Sequence, residues 1–294
     1  MTKPAIGFIG LGLMGSAMCE RLLDQEYPLT VMANRSREAV DRAVGRGARE
    51  AKTPKELAAA SDIVMLCVDT SETVESRMYG DDGVIAGLSS GNVVIDFGTS
   101  LPASTREIGE KVAEAGADYL DSPIGRTPAH ARDGLLNLMC SGSREGFEKS
   151  EPVLSDLAEN VFYLGDLGSG HTIKLINNFF GMTVANAMGE AFVMADRMGV
   201  DRSQLYNVMS AGPLHSGMMD FVKGYAVDGD PGMLAFAIKN AAKDVGYYDQ
   251  MAAAAGVESI MVQSTLKALR SAADEGMGDK MVSEMLDFYD QKYS

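Results

Sequence analysis

A chain of 294 residues with 46% hydrophobic and 23% charged residues can bury one large core or two ordinary ones without disulfides or a structural metal. Its 26 Lys and Arg against 41 Asp and Glu leave a net charge of -15, which argues against nucleic acid or an anionic membrane as a partner. A small anionic ligand would need a local cationic pocket.

Cys19, Cys67 and Cys140 lie in apolar surroundings without CxxC spacing and read as buried free thiols of a reducing compartment. The start of the chain lacks a basic leader and a small-residue cleavage site, and no stretch reaches the length of a membrane span. The expectation is a cytoplasmic protein.

In chain order, Ala5 to Ile9 is a short apolar run suited to a buried parallel strand, and it leads into Gly10, Leu11, Gly12, Leu13, Met14 and Gly15. A G-x-G-x-x-G pattern between a strand and a helix permits a tight turn, approach of backbone to a pyrophosphate, and close helix-strand packing. A second strand is expected at Leu29 to Ala33. Its end reads Asn34, Arg35, Ser36 where an NAD site places an acid. Arg35 can grip a 2'-phosphate with its planar fork, with hydrogen bonds from Asn34 and Ser36, so NADP is favoured over NAD. The plainer alternative makes Arg35 an exposed cap of the next helix.

Strands at 63–68, 92–96 and 118–120 then alternate with helices near 54–62, 71–79 and 102–115, a pattern that implies a parallel sheet covered on both faces. Ligands of such sheets bind beyond the carboxyl ends of the strands, so the loops at Val68-Asp69-Thr70, Gly98-Thr99-Ser100 and Asp121-Ser122-Pro123 are expected to rim the site. Gly125, Arg126 and Thr127 follow the last of these, and an arginine with a hydroxyl can clamp a carboxylate or sulfonate. The competing reading pairs Arg126 with an exposed carboxylate such as Asp133. A strand at 135–140, a helix at 144–157 and a short strand at 161–164 complete this half.

GDLGSG marks a boundary, giving a dinucleotide-binding domain of the Rossmann type at 1–165 and an all-helical domain for substrate and oligomerisation at 166–294, joined by a long interdomain helix. The fold class is α/β, a doubly wound sheet followed by helices at 179–198, 202–210, 234–255 and 259–275. In GSGHTIKLINN, spacings of three, four and seven put Lys174, Asn177, Asn178 and Gly181 on one helical face. The other face carries Ile173, Ile176, Phe180, Leu175, Phe179 and Met182, so the helix is expected to be buried over most of its circumference, against the other domain and a second subunit. A lysine there is paired, desolvated or aimed into a cavity, unless it snorkels from the helix start. Lys239, Lys243 and Asp244 lie on a later helix, where Lys243 either reaches the cleft or forms an exposed pair. His130, His171 and His215 show no metal-ligand spacing, and no serine or cysteine sits in a nucleophile elbow. Zinc and hydrolytic chemistry are not expected.

FIGLGLMGSAM, DSPIGRTPAHARDG, GSGHTIKLINN and AAKDVGYYDQMA, in this order over nearly the full length, resemble the beta-hydroxyacid dehydrogenases, which include 3-hydroxyisobutyrate dehydrogenase and tartronate semialdehyde reductase. The resemblance implies a dimer or tetramer, Lys174 as catalytic acid/base, Asn177 and Asn178 as substrate or orienting residues, Lys243 near the nicotinamide, and Thr99 and the Val68 loop at the nicotinamide ribose. Gly125-Arg126-Thr127 replaces the usual SGG and resembles the subgroup of sulfolactaldehyde reductase, also described as 4-hydroxybutyrate dehydrogenase, in which the arginine holds the sulfonate. Gly98 stands where a serine is usual. The expected reaction is hydride transfer between a nicotinamide and a small anionic aldehyde or hydroxy acid, such as 3-sulfolactaldehyde or succinic semialdehyde. A 3-hydroxyisobutyrate or tartronate semialdehyde type enzyme, an imine reductase, and a nucleotide-sensing module without turnover are the alternatives.

Overall fold

The computed structural model describes residues 3–33 and 37–294. They separate into two compact units, Met1–Lys174 and Leu175–Ser294. Among the described residues of the first unit, strands and helices alternate: β1 Ile6–Ile9, α1 Leu13–Asp24, β2 Leu29–Val31, α2 Glu38–Gly45, β3 Arg49–Glu50, α3 Pro54–Ala59, β4 Ile63–Leu66, α4 Ser71–Met78, β5 Val93–Asp96, α5 Pro102–Glu114 and β6 Asp118–Asp121. β7 Ile124–Gly125, α6 Pro128–Asp133, β8 Leu136–Gly142, α7 Arg144–Leu157 and β9 Ala158–Tyr163 follow.

The sheet order is β3-β2-β1-β4-β5-β6-β8-β7, with β9 on β8. From β3 to β6 every pairing is parallel, with Ile6 opposite both Leu29 and Ile63. β8 returns antiparallel to β6 and β7. The central strands β1, β2 and β4 are buried throughout and almost wholly apolar because both faces are covered. Ile6, Phe8, Ile63, Met65 and Ile95 pack into one core with Met18 and Leu22 of α1, while Ile9, Val64, Leu66 and Val94 pack on the other face with Leu57, Ile108 and Val112. The order reverses between β1 and β4, and in such sheets that point opens a crevice beyond the carboxyl ends of the strands.

α8 runs from Ser169 to Arg197 and carries the chain from the first unit into the second. The second unit adds α9 Arg202–Ser210, α10 Gly217–Ala226, α11 Ile238–Ala254, α12 Ile260–Ala272 and α13 Met285–Lys292, around a core that includes Phe192, Val222, Ile238, Val245, Leu269 and Phe288. No helix among the described residues is long and apolar enough to cross a membrane.

The structure corrects several sequence expectations. α10 and α13 went unread, as did the two-residue strands β3 and β7 and the short α6. α11 begins at Ile238 rather than at 234, and α12 ends at Ala272, followed by a π turn in which Gly276 takes a left-handed φ of +89°. In the single chain α8 is buried along one side. Leu175 and Met182 are buried, but Ile173, Ile176 and Phe180 are 41%, 48% and 69% exposed. The last three lie three and four residues apart on a row turned away from the buried pair, and that row is uncovered in the single chain.

Candidate active site

β1 ends in the glycine loop. Gly10 has a φ of +102°, and a Cβ there would stand 2.2 Å from the Cys67 carbonyl oxygen. A Cβ on Gly15 would lie 1.9 Å from the Gly10 carbonyl oxygen. Both glycines are thus required by the turn and by the seating of α1 on the sheet. Gly12 differs. It caps α1 with an ordinary extended backbone, φ -72° and ψ -165°, without a side-chain cap, and a Cβ there would touch nothing within 4 Å. The open space in front of Gly12 and the amino end of α1 fits a pyrophosphate, which the helix dipole and its uncapped N–H groups favour. Leu11 and Met14 pack against the core, whereas Leu13 is exposed.

The neighbouring strand ends are ordered by their own contacts. Val68 packs against the core. Asp69 Oδ1 accepts a hydrogen bond from Thr73 Oγ1 at 2.9 Å, while the Thr70 hydroxyl caps α4 through the Thr73 N–H. At the end of β5 the Asp96 carboxylate, fully buried, accepts from the Gly98 N–H and the Ser100 hydroxyl, each at 2.8 Å. A Cβ on Gly98 would lie 2.9 Å from Asp96 Oδ1 and 3.1 Å from the Val68 carbonyl, so a serine has little room at this position. Thr99 is half-buried beside it. Asn34, Arg35 and Ser36, the basis for favouring NADP, lie outside the described residues.

Beyond β6, Gly125 ends β7 opposite Asn137. Arg126 follows with a left-handed φ of +79°. Its Nη1 donates to the Leu135 carbonyl at 2.7 Å, and its Nη2 lies 2.5 Å from Glu159 Oε2. The exposed carboxylate that pairs with Arg126 is therefore on β9; Asp133, the partner anticipated from sequence, is not the one used. Thr127 Oγ1 lies 2.7 Å from His130 Nδ1. Both groups of the expected anion clamp are engaged within the first unit.

Lys174, half-buried, donates from Nζ to the Ile124 carbonyl oxygen at 2.7 Å. The amine is thereby held at the peptide immediately before Gly125. Three residues earlier on α8, His171 is fully buried, with Nδ1 2.7 Å from Thr105 Oγ1.

Within the second unit, Asn177 is exposed and its amide donates weakly to Asn178 Oδ1 at 3.3 Å. Asn178 is buried, and its Nδ2 donates to Asp244 Oδ2 at 2.6 Å. Lys243 Nζ sits 2.8 Å from Asp244 Oδ1 and 5.2 Å from the centroid of the Tyr247 ring. Asp244 is only 2% exposed, so the pair considered from sequence as exposed is largely buried. The signal available was an acid sharing a helical face with Ala241 and Tyr247, both buried. No group of three or more His, Cys, Asp or Glu side chains suited to a metal occurs among the described residues.

A doubly wound sheet with a glycine-loop helix end at its switch point is the arrangement that holds a dinucleotide. A family model described as the NAD binding domain of 6-phosphogluconate dehydrogenase matches residues 5–165, and one described as NAD-binding of NADP-dependent 3-hydroxyisobutyrate dehydrogenase matches residues 168–289. The chain belongs to the beta-hydroxyacid dehydrogenase family. It is 30% identical to glyoxylate/succinic semialdehyde reductase 2 of Arabidopsis thaliana over 92% of this chain and 73% of that one. It is 33% identical to 3-sulfolactaldehyde reductase of Escherichia coli over 70% and 69% of the two chains. Among solved structures, it is similar to 3-hydroxyisobutyrate dehydrogenase from Salmonella typhimurium with a TM-score of 0.84 and 26% identity, covering 97% of this chain and 99% of that one.

Proposed function

We propose that this enzyme reduces a short aldehyde carrying an anionic tail, 3-sulfolactaldehyde or succinic semialdehyde in chemical type, to the corresponding alcohol, with NADP preferred over NAD. The observation that carries the reading is the Lys174 amine, held on the Ile124 carbonyl next to the Gly125-Arg126-Thr127 turn at the carboxyl end of the sheet. A protonated amine at that place can give a proton to a carbonyl oxygen while hydride reaches the carbon. A bound dihydronicotinamide supplies that hydride. Gly10, Leu11, Gly12, Leu13, Met14 and Gly15 hold the pyrophosphate, with Val68, Asp69, Thr99 and Lys243 toward the nicotinamide end. Asn34, Arg35 and Ser36 take the 2'-phosphate.

Substrate binding falls to Gly125, Arg126 and Thr127 at the anionic tail and to Asn177 and Asn178 at the reacting end. Arg126 would exchange Glu159 for the substrate anion, which presents the same planar or trigonal set of oxygens to the guanidinium. The names of the relatives, a succinic semialdehyde reductase and a 3-sulfolactaldehyde reductase, support an anionic aldehyde, and the NADP-dependent description of the family model supports NADP. The uncovered row Ile173, Ile176 and Phe180 supports a homo-oligomer built on α8.

The test is a set of initial rates with NADPH and NADH against sulfolactaldehyde, succinic semialdehyde, methylmalonate semialdehyde and tartronate semialdehyde. Preference for either of the first two with NADPH is expected; faster turnover of methylmalonate or tartronate semialdehyde would reject the substrate assignment, and faster turnover of butyraldehyde, added as an uncharged control, would reject the anionic tail. Lys174→Ala is expected to lose on the order of 10² to 10⁴ in kcat while NADPH still binds.

A further inference from the structure

We infer that Asp121 is a positioning residue for Lys174, acting through the first turn of α8; the inference rests on the reading of Lys174 as the proton donor. Asp121 ends β6 and is fully buried. A carboxylate with no access to water must find hydrogen bonds or a cation. The nearest basic group, His171 Nδ1, stands 3.8 Å from Asp121 Oδ2, beyond hydrogen-bond reach.

The carboxylate is satisfied instead by the helix. Gly168 N–H donates to Oδ1 at 2.8 Å and His171 N–H to Oδ2 at 2.7 Å. The Ser141 hydroxyl also donates to Oδ1 and in turn accepts from the Gly170 N–H at 2.9 Å. Three amides at the start of α8 thus have acceptors supplied from β6 and β8, at the end where the helix dipole favours a negative charge. The approach is close: a Cβ on Gly170 would stand 2.2 Å from the Met139 carbonyl oxygen and 2.7 Å from Asp121 Oδ2.

One turn further on, Lys174 Nζ reaches the Ile124 carbonyl, three residues along from Asp121. The stretch 168–174 is therefore fastened at its start to residue 121 and at its end to residue 124. A shift or rotation of that first turn moves the amine relative to the Gly125-Arg126-Thr127 loop. Asp96 accepts within its own loop, from Gly98 N–H and the Ser100 hydroxyl. The role is mechanical, since neither Asp121 nor Ser141 needs to touch substrate.

Asp121→Asn keeps the shape but turns an amide NH2 toward one of the helix N–H groups. In the full-length enzyme, kcat is expected to fall about 10- to 100-fold, as a displacement near 1 Å can produce. The Kd for NADPH by fluorescence titration should stay within about twofold of wild type. The decisive measurement is the double variant. In a Lys174→Ala background, Asp121→Asn should leave the residual rate unchanged within about twofold, because a group acting through the lysine has nothing left to act on. A fall as large as in the wild-type background would mean a general structural role and overturn the inference, as would wild-type kcat in Asp121→Asn alone. If Asp121→Asn does not fold, Ser141→Ala serves in its place. It removes the Gly170 acceptor and leaves the carboxylate, and a kcat loss of about 3- to 10-fold with the same non-additivity is expected. Near-normal kcat in Lys174→Ala would remove the reading of the lysine itself, whereas an inactive Lys174→Ala beside a fully active Asp121→Asn removes only the role of Asp121.

Discussion

Arg126 keeps a left-handed backbone that glycine adopts freely, and for any other residue such a conformation costs roughly 1 kcal/mol or more. Against that stand its bonds to the Leu135 carbonyl and Glu159, the second of them exposed and worth little in water. Arg126→Gly should therefore leave the melting temperature equal to or above that of the parent while raising KM for anionic aldehydes about 10-fold or more, the loss expected for a charge-assisted bond. An equal rise for an uncharged aldehyde would show that the guanidinium does not hold the tail. Glu159 supplies the converse test, since removing a competitor for the same fork should lower KM for the anionic substrate a few-fold in Glu159→Ala, read from initial rates. The cysteines give a prediction tied to pH. Burial, aided by the Asp96 carboxylate, pushes the Cys67 thiol up to about 12. Burial likewise pushes Cys140 up to about 12 and Cys19 well above its usual value. A thiol whose pKa is raised stays protonated below that pKa, and the thiol is a poor nucleophile. At pH 8 iodoacetamide should leave the native protein unlabelled and modify all three thiols once it is unfolded, as counted by intact mass; rapid native labelling would contradict this.

At the scale of elements, α8 makes the sharpest prediction. Its row of Ile173, Ile176 and Phe180 is exposed, and a Phe180→Glu substitution should reduce the mass of the assembly by light scattering without lowering helicity. An unchanged mass would show that this row is not a subunit interface. Elements were legible in the sequence where local chemistry decides them, as in the apolar run of β1 entering three glycines. They were illegible where pairing across the chain decides them. β7, two residues long, exists because Ile124 and Gly125 meet Leu138 and Asn137, and α10 carries Gly217 and Gly224, which read as loop until Met219 and Val222 are seen in the core. The same division holds for the site. Lys174 could be found because a lysine interrupts an apolar helix, but Asp121 reaches the Gly168 and His171 amides across 47 and 50 residues, and no spacing announces such a bond. Arg126 was found with the wrong neighbour, since Glu159 comes from β9, a strand whose register on β8 only the folded chain fixes.

The whole molecule has separate cores in its two units, one set lining both faces of the sheet and one among the helices of the second unit. A ligand held by the glycine loop binds the native state alone, and NADPH at about a hundred times its Kd adds about 2.7 kcal/mol to whatever cooperative unit contains that loop. Calorimetry should show the transition that includes residues 1–174 moving to higher temperature, and a thermogram insensitive to the nucleotide would deny binding there. Gly12 carries a last consequence. Its missing methyl is demanded neither by its dihedral angles nor by any neighbour, in contrast to Gly10 and Gly15, whose loss would break the turn. On the proposed reading of the glycine loop, Gly12→Ala should match its parent in yield and melting temperature yet lose NADPH binding by fluorescence titration, and unchanged binding would take that role from Gly12. That outcome would separate occupancy from folding by one carbon atom, and an inactive allele of this kind would leave no trace in the amount of protein a cell contains.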